Sequence, residues 1–372
     1  QEHARRAPKY YARAHTLATT DAATGQAQCA AYDPAGQFVG QVPSARAQLL
    51  LARYSAHMQT TGGPVTAPGF ARELCLLLQR YRRPRRAPRG AKPGGKPGKN
   101  WVLPAPYTAA LHQALSMDTE RFASPLDVHP ETACYYSLHP EDAVFGATTD
   151  AFSCPWVGSA QVHPAYDHET LEKAMRWAIA SATHAALADT PVYNVLVLPR
   201  WDKDGSSYHR WLQHPAVQIL AELPRSCTAF AGSLPQPRGA QPQLHTPKWG
   251  TLLVAVANQA GRDRHYNPES LAIALNEAAE AVAGDSRAAV TMGPAKPTAA
   301  PAVVAQIQQE FKHPKRFVAS LAGPGGAGAA AAAVAAGAAS DGGAAADAAP
   351  TAAAAAAAAA ADNLTGALAR RP

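Results

Sequence analysis

Residues 162–200 read VHPAYDHETLEKAMRWAIASATHAALADTPVYNVLVLPR, and the fold class follows from this run. A strand ending at Val162 leads into the turn His163-Pro164-Ala165-Tyr166, because proline fixes φ and cannot continue a ladder of backbone donors. Asp167 suits an N-cap, and Leu171, Ala174, Met175, Ala178 and Ala182 recur at the helical period, which predicts an amphipathic helix from Asp167 to about Ala188. The next run, Tyr193-Asn194-Val195-Leu196-Val197-Leu198-Pro199, is apolar without alternation, as in a strand buried on both faces. Strand, turn, helix and strand of these lengths form one unit of an α/β sheet covered by helices. The proline turn pushes backbone carbonyls and an aromatic ring into a cleft, a geometry suited to holding a flat base.

Outward from this unit, residues 101–284 read as an α/β domain with a mostly parallel sheet. The spacing predicts a helix over 106–116 and a short apolar strand over 120–127 that ends in a Ser-Pro turn. A loop-rich stretch with Phe145-Gly146 follows. Downstream come a helix over 207–223, a short strand at 227–230, a buried strand at 250–258, and a helix opened by Asn267-Pro268 and stopped by Gly284. Asp202 and Asp204 read as turn residues around Gly205, and Lys248-Trp249 as either an RNA contact or a sheet edge. Trp156, Trp177 and Trp211 are expected in the core, since tryptophan is highly buried on average. Residues 1–44 read as a polar, irregular lead-in, and 45–81 as a helical layer of two helices broken at Gly62-Gly63-Pro64. Residues 285–372 form an Ala/Gly/Pro-rich tail expected to be largely disordered and without chemistry.

The net charge of +7 favours polyanionic partners such as nucleic acid. Much of it comes from the basic segment 82–100 and its preceding Arg80: the stretch 80–99 carries nine Lys or Arg, four prolines and no acid. Such a segment is expected to be flexible and to touch phosphates in a salt-sensitive, sequence-blind way. Gly90, Gly95 and Lys96 fit a P-loop spacing, but Pro97 stands where Ser or Thr would hold magnesium, so a P-loop is rejected. The five scattered cysteines support neither a disulfide framework nor a zinc site, and the fourteen histidines contain no H-E-x-x-H pattern, so no metal is assigned. No apolar run is long enough for a membrane span. The chain begins at Gln1 without methionine, so an N-terminal segment or targeting signal is open.

In an open α/β sheet, ligands lie outside the carboxyl ends of the strands. Three segments are expected there: Phe122-Ala123-Ser124-Pro125-Leu126-Asp127, Val162 to Tyr166, and the loop opened by Arg200-Trp201. In order and spacing, with Phe145-Gly146 and the leucine-rich helix before the basic segment, they resemble the catalytic domain of the phosphorylated CTD-interacting factor family over roughly Leu74 to Asn258. The resemblance implies a Rossmann-like sheet and an S-adenosylmethionine-dependent adenosine N6-methyltransferase that acts beside the cap of mRNA. It places the cofactor at Phe122, Ser124, Pro125, Leu126 and Asp127, and catalysis at His163, Pro164, Ala165 and Tyr166. Its expected location is nuclear, with a cytoplasmic one possible. Trp201 and Arg200 are the substrate-binding candidates, since a tryptophan beside a strand end can stack on a base.

The chemistry explains the turn. An adenine amine is a poor nucleophile because its lone pair is delocalised into the ring. A side-chain acceptor and a proline carbonyl can each take one amine hydrogen while an aromatic ring stacks on the base, which is positioning and preorganised electrostatics. This chain departs from the family's Asn-Pro-Pro-Phe at His163, Ala165 and Tyr166, and from its final cofactor-segment Asn at Asp127. Tyr166 stacks as phenylalanine would, whereas His163 differs from an amide in reach and direction. The alternatives are a degenerate methyltransferase fold that binds RNA without catalysis and, more weakly, a methyltransferase of DNA adenine. The family usually begins with a WW module built on two tryptophans about twenty residues apart. The first tryptophan here is Trp101, so binding to the RNA polymerase II tail is not expected from this chain, unless a preceding segment supplies it.

Overall fold

A computed structural model describes residues 14–20, 27–82, 101–186, 189–201, 208–223, 225, 228, 230–232, 244–283 and 290–293. The basic run after Arg82, the turn residues Asp202 and Asp204, the stop at Gly284 and the tail beyond Gly293 lie outside the described residues.

Within the stretch expected to be an irregular lead-in, the described residues form a sheet. Strands β1 (His15–Thr20), β2 (Ala27–Tyr32) and β3 (Phe38–Pro43) form an antiparallel meander. Its buried side chains include Ala30, Ala31, Val39 and Val42, and the small alanines hide the alternation that betrays a strand in sequence. Asp33 closes the β2–β3 turn by accepting from Ala35 N and Gln37 N, each at 2.9 Å. Helices α1 (Ser44–Thr61) and α2 (Ala67–Arg82) pack over the meander, as the leucine pattern predicts for the helical layer. Helix α1 ends at Gly62, whose φ of +73° strains any residue with a Cβ. Leu50, Phe70, Leu74, Leu77 and Leu78 fill this core, and Phe145, from the 3₁₀ turn Pro140–Phe145, enters it.

The rest of the described chain is mixed α/β. In order come β4 (Trp101–Val102), α3 (Ala105–Leu115), β5 (Thr119–Glu120), β6 (Cys134–Ser137), β7 (Ala147–Thr149), β8 (Gly158–Val162), α4 (His168–Ala186) and β9 (Val192–Arg200). They are followed by β10 (Val217–Leu223), β11 (Phe230–Gly232), β12 (Leu244–His245), β13 (Gly250–Ala257), α5 (Gln259–His265), α6 (Pro268–Ala283) and β14 (Thr291–Met292). Eight strands form one sheet in the order β14-β10-β13-β9-β8-β5-β6-β7, and β12-β11-β4 form a small second one.

The large sheet is mixed: four of its seven strand pairings are parallel, as expected, and three are antiparallel. Strands β5 to β9 pair in parallel, whereas β13 runs back between β9 and β10 and pairs antiparallel with both, as does β14 with β10. Helix α4 supplies the crossover that the parallel partners β8 and β9 need. Both faces are covered, as expected. Leu196 and Leu198 of β9 pack with Trp156, Trp177 and Trp211 under α4, while Val195 and Val197 pack with Tyr107, Leu111, Leu271 and Leu275 under α3 and α6. The three tryptophans are fully buried, and the indole N–H groups of Trp156 and Trp177 donate to the carbonyls of Ala151 (2.5 Å) and Cys154 (3.0 Å).

Three element expectations need correction. Strand β5 covers only Thr119–Glu120, so Phe122 to Asp127 lies beyond its end. The helix expected over 207–223 is a 3₁₀ turn at His209–Gln213 followed by strand β10, because pairing with β13 on one side and β14 on the other overrides the local pattern. Helix α5 has no counterpart in the sequence reading. Asn258 caps it, accepting from Gly261 N at 2.8 Å and Val192 N at 3.0 Å while donating to Thr190 O at 2.6 Å.

Candidate active site

The chain steps from β5 to β6 to β7 in one direction across the sheet, then returns to place β8 on the other side of β5 and continues to β9. Strand order thus reverses between β5 and β8, and outside the carboxyl ends of strands at such a reversal a ligand crevice is expected. The Phe122–Asp127 segment leaves β5, and the His163–Tyr166 turn leaves β8. The backbone fixes their relation: Arg121 N donates to Gln161 O at 2.9 Å, and Ala123 N to Tyr136 O at 3.1 Å. Residues 121–123 therefore run between the ends of β8 and β6.

On the β5 side, Phe122 is half-buried, with ring centroids 5.4 Å from Phe152 and 5.9 Å from Trp156. Residues 124–128 form a closed turn: Ser124 N donates to Asp127 Oδ1 at 2.5 Å, and Asp127 N and Val128 N donate to Ser124 O at 3.1 and 3.0 Å. Ser124 Oγ also accepts from Leu126 N at 3.2 Å. Burial pushes the Asp127 carboxyl above the usual range, while the Ser124 hydrogen bonds and the Arg46 guanidinium oppose that shift. Pro125 is buried, and Leu126 packs against the N-terminal core.

On the β8 side, the turn is a compact aromatic group. His163 Nε2 lies 3.2 Å from Tyr166 Oη, and Phe230 of β11 packs on both rings at centroid distances of 5.8 and 6.0 Å. Pro164 is buried, and Ala165 O accepts from Asp167 N at 2.9 Å. Asp167 caps α4 as predicted, accepting from Thr170 N at 2.8 Å. Burial pushes His163 down to about 4, so its imidazole is neutral at pH 7 and one ring nitrogen is an acceptor. Burial also holds the Tyr166 phenol well above its ordinary value, so it stays protonated.

Arg200 and Trp201 have different surroundings. Arg200 is exposed, paired with Glu222 of β10, and lies at the rim of a depression of ≈ 330 Å³ lined also by His209, Leu212, Ile219 and Leu252. Trp201 is half-buried in a ring cluster with His168 (4.7 Å), Tyr208 (6.2 Å) and Trp249 (6.3 Å).

Two residues at the crevice carry no signal in the sequence. Glu120 and Gln161 stand opposite each other in the β5–β8 register, and both are buried. Glu120 Oε1 accepts from His129 N at 2.6 Å and Thr132 Oγ1 at 2.8 Å, with His112 Nε2 at 3.9 Å. Burial pushes Glu120 up to about 7, against the pull of these hydrogen bonds. Among the described residues, Gln161 Oε1 is buried without a hydrogen-bond partner. Only the fold shows either acid or amide to be buried. Among the described residues no group of three or more His, Cys, Asp or Glu is arranged to hold a metal ion, and no helix is long and apolar enough to cross a membrane.

Residues 50–218 match a protein-family model described as the phosphorylated CTD interacting factor 1 WW domain. The matched span begins in α1, runs through α2 and the parallel strands β5 to β9, and ends in β10. It therefore corresponds to the helical layer and the crevice-bearing sheet, and its first tryptophan is Trp101. Over these residues the chain is similar to phosphorylated CTD interacting factor 1. A comparison with curated proteins gives no match.

Proposed function

We propose that this chain is an S-adenosylmethionine-dependent adenine-N6 methyltransferase acting on RNA, with the 5′ adenosine beside the cap of mRNA as its substrate. The reversal of strand order between β5 and β8 carries the reading, because the strand ends that lead into Phe122–Asp127 and His163–Tyr166 are neighbours at such a switch point. The match over residues 50–218 to phosphorylated CTD interacting factor 1 supports the chemical class. So do the parallel pairings of β5 to β9 under covering helices, which suit a Rossmann-like sheet.

The residues on the β5 side suit that cofactor. The half-buried Phe122 offers an apolar wall, and the Asp127 carboxylate is an acceptor for hydroxyl or ammonium groups. When bound, S-adenosylmethionine supplies an electrophilic methyl group. On the β8 side, neutral His163 accepts one amine hydrogen and the Pro164 carbonyl a second, while Tyr166 stacks on the base. Holding the amine in line is the chain's main contribution, and the half-buried Tyr166 ring packed on buried Phe230 limits water at the turn. Trp201 and Arg200 bind flanking RNA, and the basic run 82–100 adds phosphate contacts. A nuclear location suits such a substrate.

The test is methyl transfer from labelled S-adenosylmethionine to capped RNA beginning with adenosine, with the product nucleoside identified by mass spectrometry. The reading predicts N6-methyladenosine at the first position and at least a tenfold loss in His163→Ala. One observation favours a second reading, an RNA-binding fold without catalysis: the 3.2 Å approach of His163 Nε2 to Tyr166 Oη turns the histidine toward its own turn. RNA binding without any transfer would select that reading.

A further inference from the structure

Helices α1 and α2 do more than cover the small N-terminal sheet. Arg46 and Arg53 are seven residues apart, two turns of α1, and so lie on one helix face. Arg46 Nη1 donates to Val128 O at 2.5 Å, and Arg53 Nη2 to Thr132 O at 3.0 Å. Arg53 also sits 4.7 Å above the Tyr135 ring at the start of the next strand. These two carbonyls belong to the connection from β5 to β6, whose first part is the candidate cofactor segment. Glu120 holds the same connection from the sheet side through His129 N and Thr132 Oγ1. Residues 128–132 are thus fastened from both sides.

The end of α2 engages the next connection in the same way. Arg80 pairs with Asp142, Tyr81 Oη donates to Asp142 Oδ2 at 2.6 Å, and Ser137 Oγ at the end of β6 donates to that same oxygen. Asp142 is fully buried in the 3₁₀ turn Pro140–Phe145. A buried carboxylate with this many donors has one arrangement and transmits the position of α2 to the carboxyl end of β6. Both connections leave the carboxyl ends of β5 and β6, beside the reversal of strand order at β8, yet none of the four side chains reaching from α1 and α2 belongs to the segments read as contacting cofactor or base.

We infer that Arg46 and Arg53 of α1, with Arg80 and Tyr81 of α2, are positioning residues that hold the two connections after β5 and β6 in the shape that binds the cofactor. The inference rests on the proposed methyltransferase reading of the crevice. It makes the helical layer part of the binding apparatus.

The test uses the full chain as wild type, Arg46→Ala/Arg53→Ala, Tyr81→Phe and a surface control, Arg72→Ala, whose partner is the neighbouring Glu73 on the same helix. Amide hydrogen exchange is measured without ligand, and the affinity for S-adenosylhomocysteine by calorimetry. In the double variant, amides of 124–133 exchange at least tenfold faster while those of β9 and β13 keep their protection, and the ligand binds about tenfold more weakly. Tyr81→Phe shows the same selective loosening over 137–145, and Arg72→Ala shows neither effect. If the double variant does not fold, Arg46→Ala and Arg53→Ala are measured singly, with the same selective loosening expected. Unchanged exchange in 124–133, uniform acceleration through β9 and β13, or loosening with unchanged ligand affinity would each overturn the inference. If wild type binds no S-adenosylhomocysteine, the methyltransferase reading falls, and the exchange pattern still decides whether α1 and α2 hold these connections.

Discussion

Acidification should destabilise this protein through His163, and the size of the effect follows from the site. The ring has a folded-state value of about 4, depressed by burial among Tyr166, Phe230 and the sheet. An unfolded histidine titrates near 6.5. The folded state therefore binds the proton less readily than the unfolded chain, so the contribution is present above pH 6.5 and is lost as pH falls through 4. Between pH 8 and pH 5 two such values differ by about 2 kcal/mol in linkage free energy, and partial exposure of the ring trims this to about 1–2 kcal/mol. Buried His112 and His214, each also pushed down to about 4, add their own terms, so the total slope does not isolate His163. Urea unfolding of wild type and His163→Asn at both pH values does. The variant should lose about 1–2 kcal/mol less on acidification. Equal losses in both proteins would refute the neutral imidazole on which its proposed acceptor role depends.

Glu120 should act with the opposite sign. Its folded value of about 7 lies above the unfolded one, so its contribution is present at low pH and is lost as pH rises through 7. Glu120→Gln should therefore remove about 2–3 kcal/mol of the stability that wild type gains between pH 8 and pH 5, read from the same unfolding series. Asn258→Ala strips the cap of α5 and two bonds to the 190–192 backbone, and should cost about 2–4 kcal/mol in chemical denaturation. Trp177→Ala removes a fully buried ring together with its hydrogen bond to Cys154 O, and should cost about 3–5 kcal/mol. Deleting residues 82–99 should weaken RNA binding and flatten its salt dependence, and an unchanged slope in a filter-binding titration would contradict the phosphate role of that run.

What the sequence disclosed follows the strength of its periodicity. The α4 stripe, the runs of β9 and β13, the leucines of α2 and the cap at Asp167 are large, regular signals set by local burial, and each is present. The β1–β3 meander escaped because its buried residues include alanines, and β10 escaped because its identity depends on partners distant in sequence. The mixed character of the sheet has the same origin, since no local feature of β13 reveals its direction relative to β9. The candidate segments Phe122–Asp127 and His163–Tyr166 were legible as strand ends. That those strand ends are neighbours required the order of strands, and the buried Glu120, Gln161 and Asp142 required the packing.

The central claim is that the crevice between β5 and β8 binds S-adenosylmethionine. Calorimetric titration of wild type with S-adenosylhomocysteine tests it most directly, with Phe122→Ala as the matched variant. Saturable one-to-one binding is expected, weakened at least tenfold in Phe122→Ala. Absence of binding at millimolar ligand, or binding indifferent to Phe122, would contradict it.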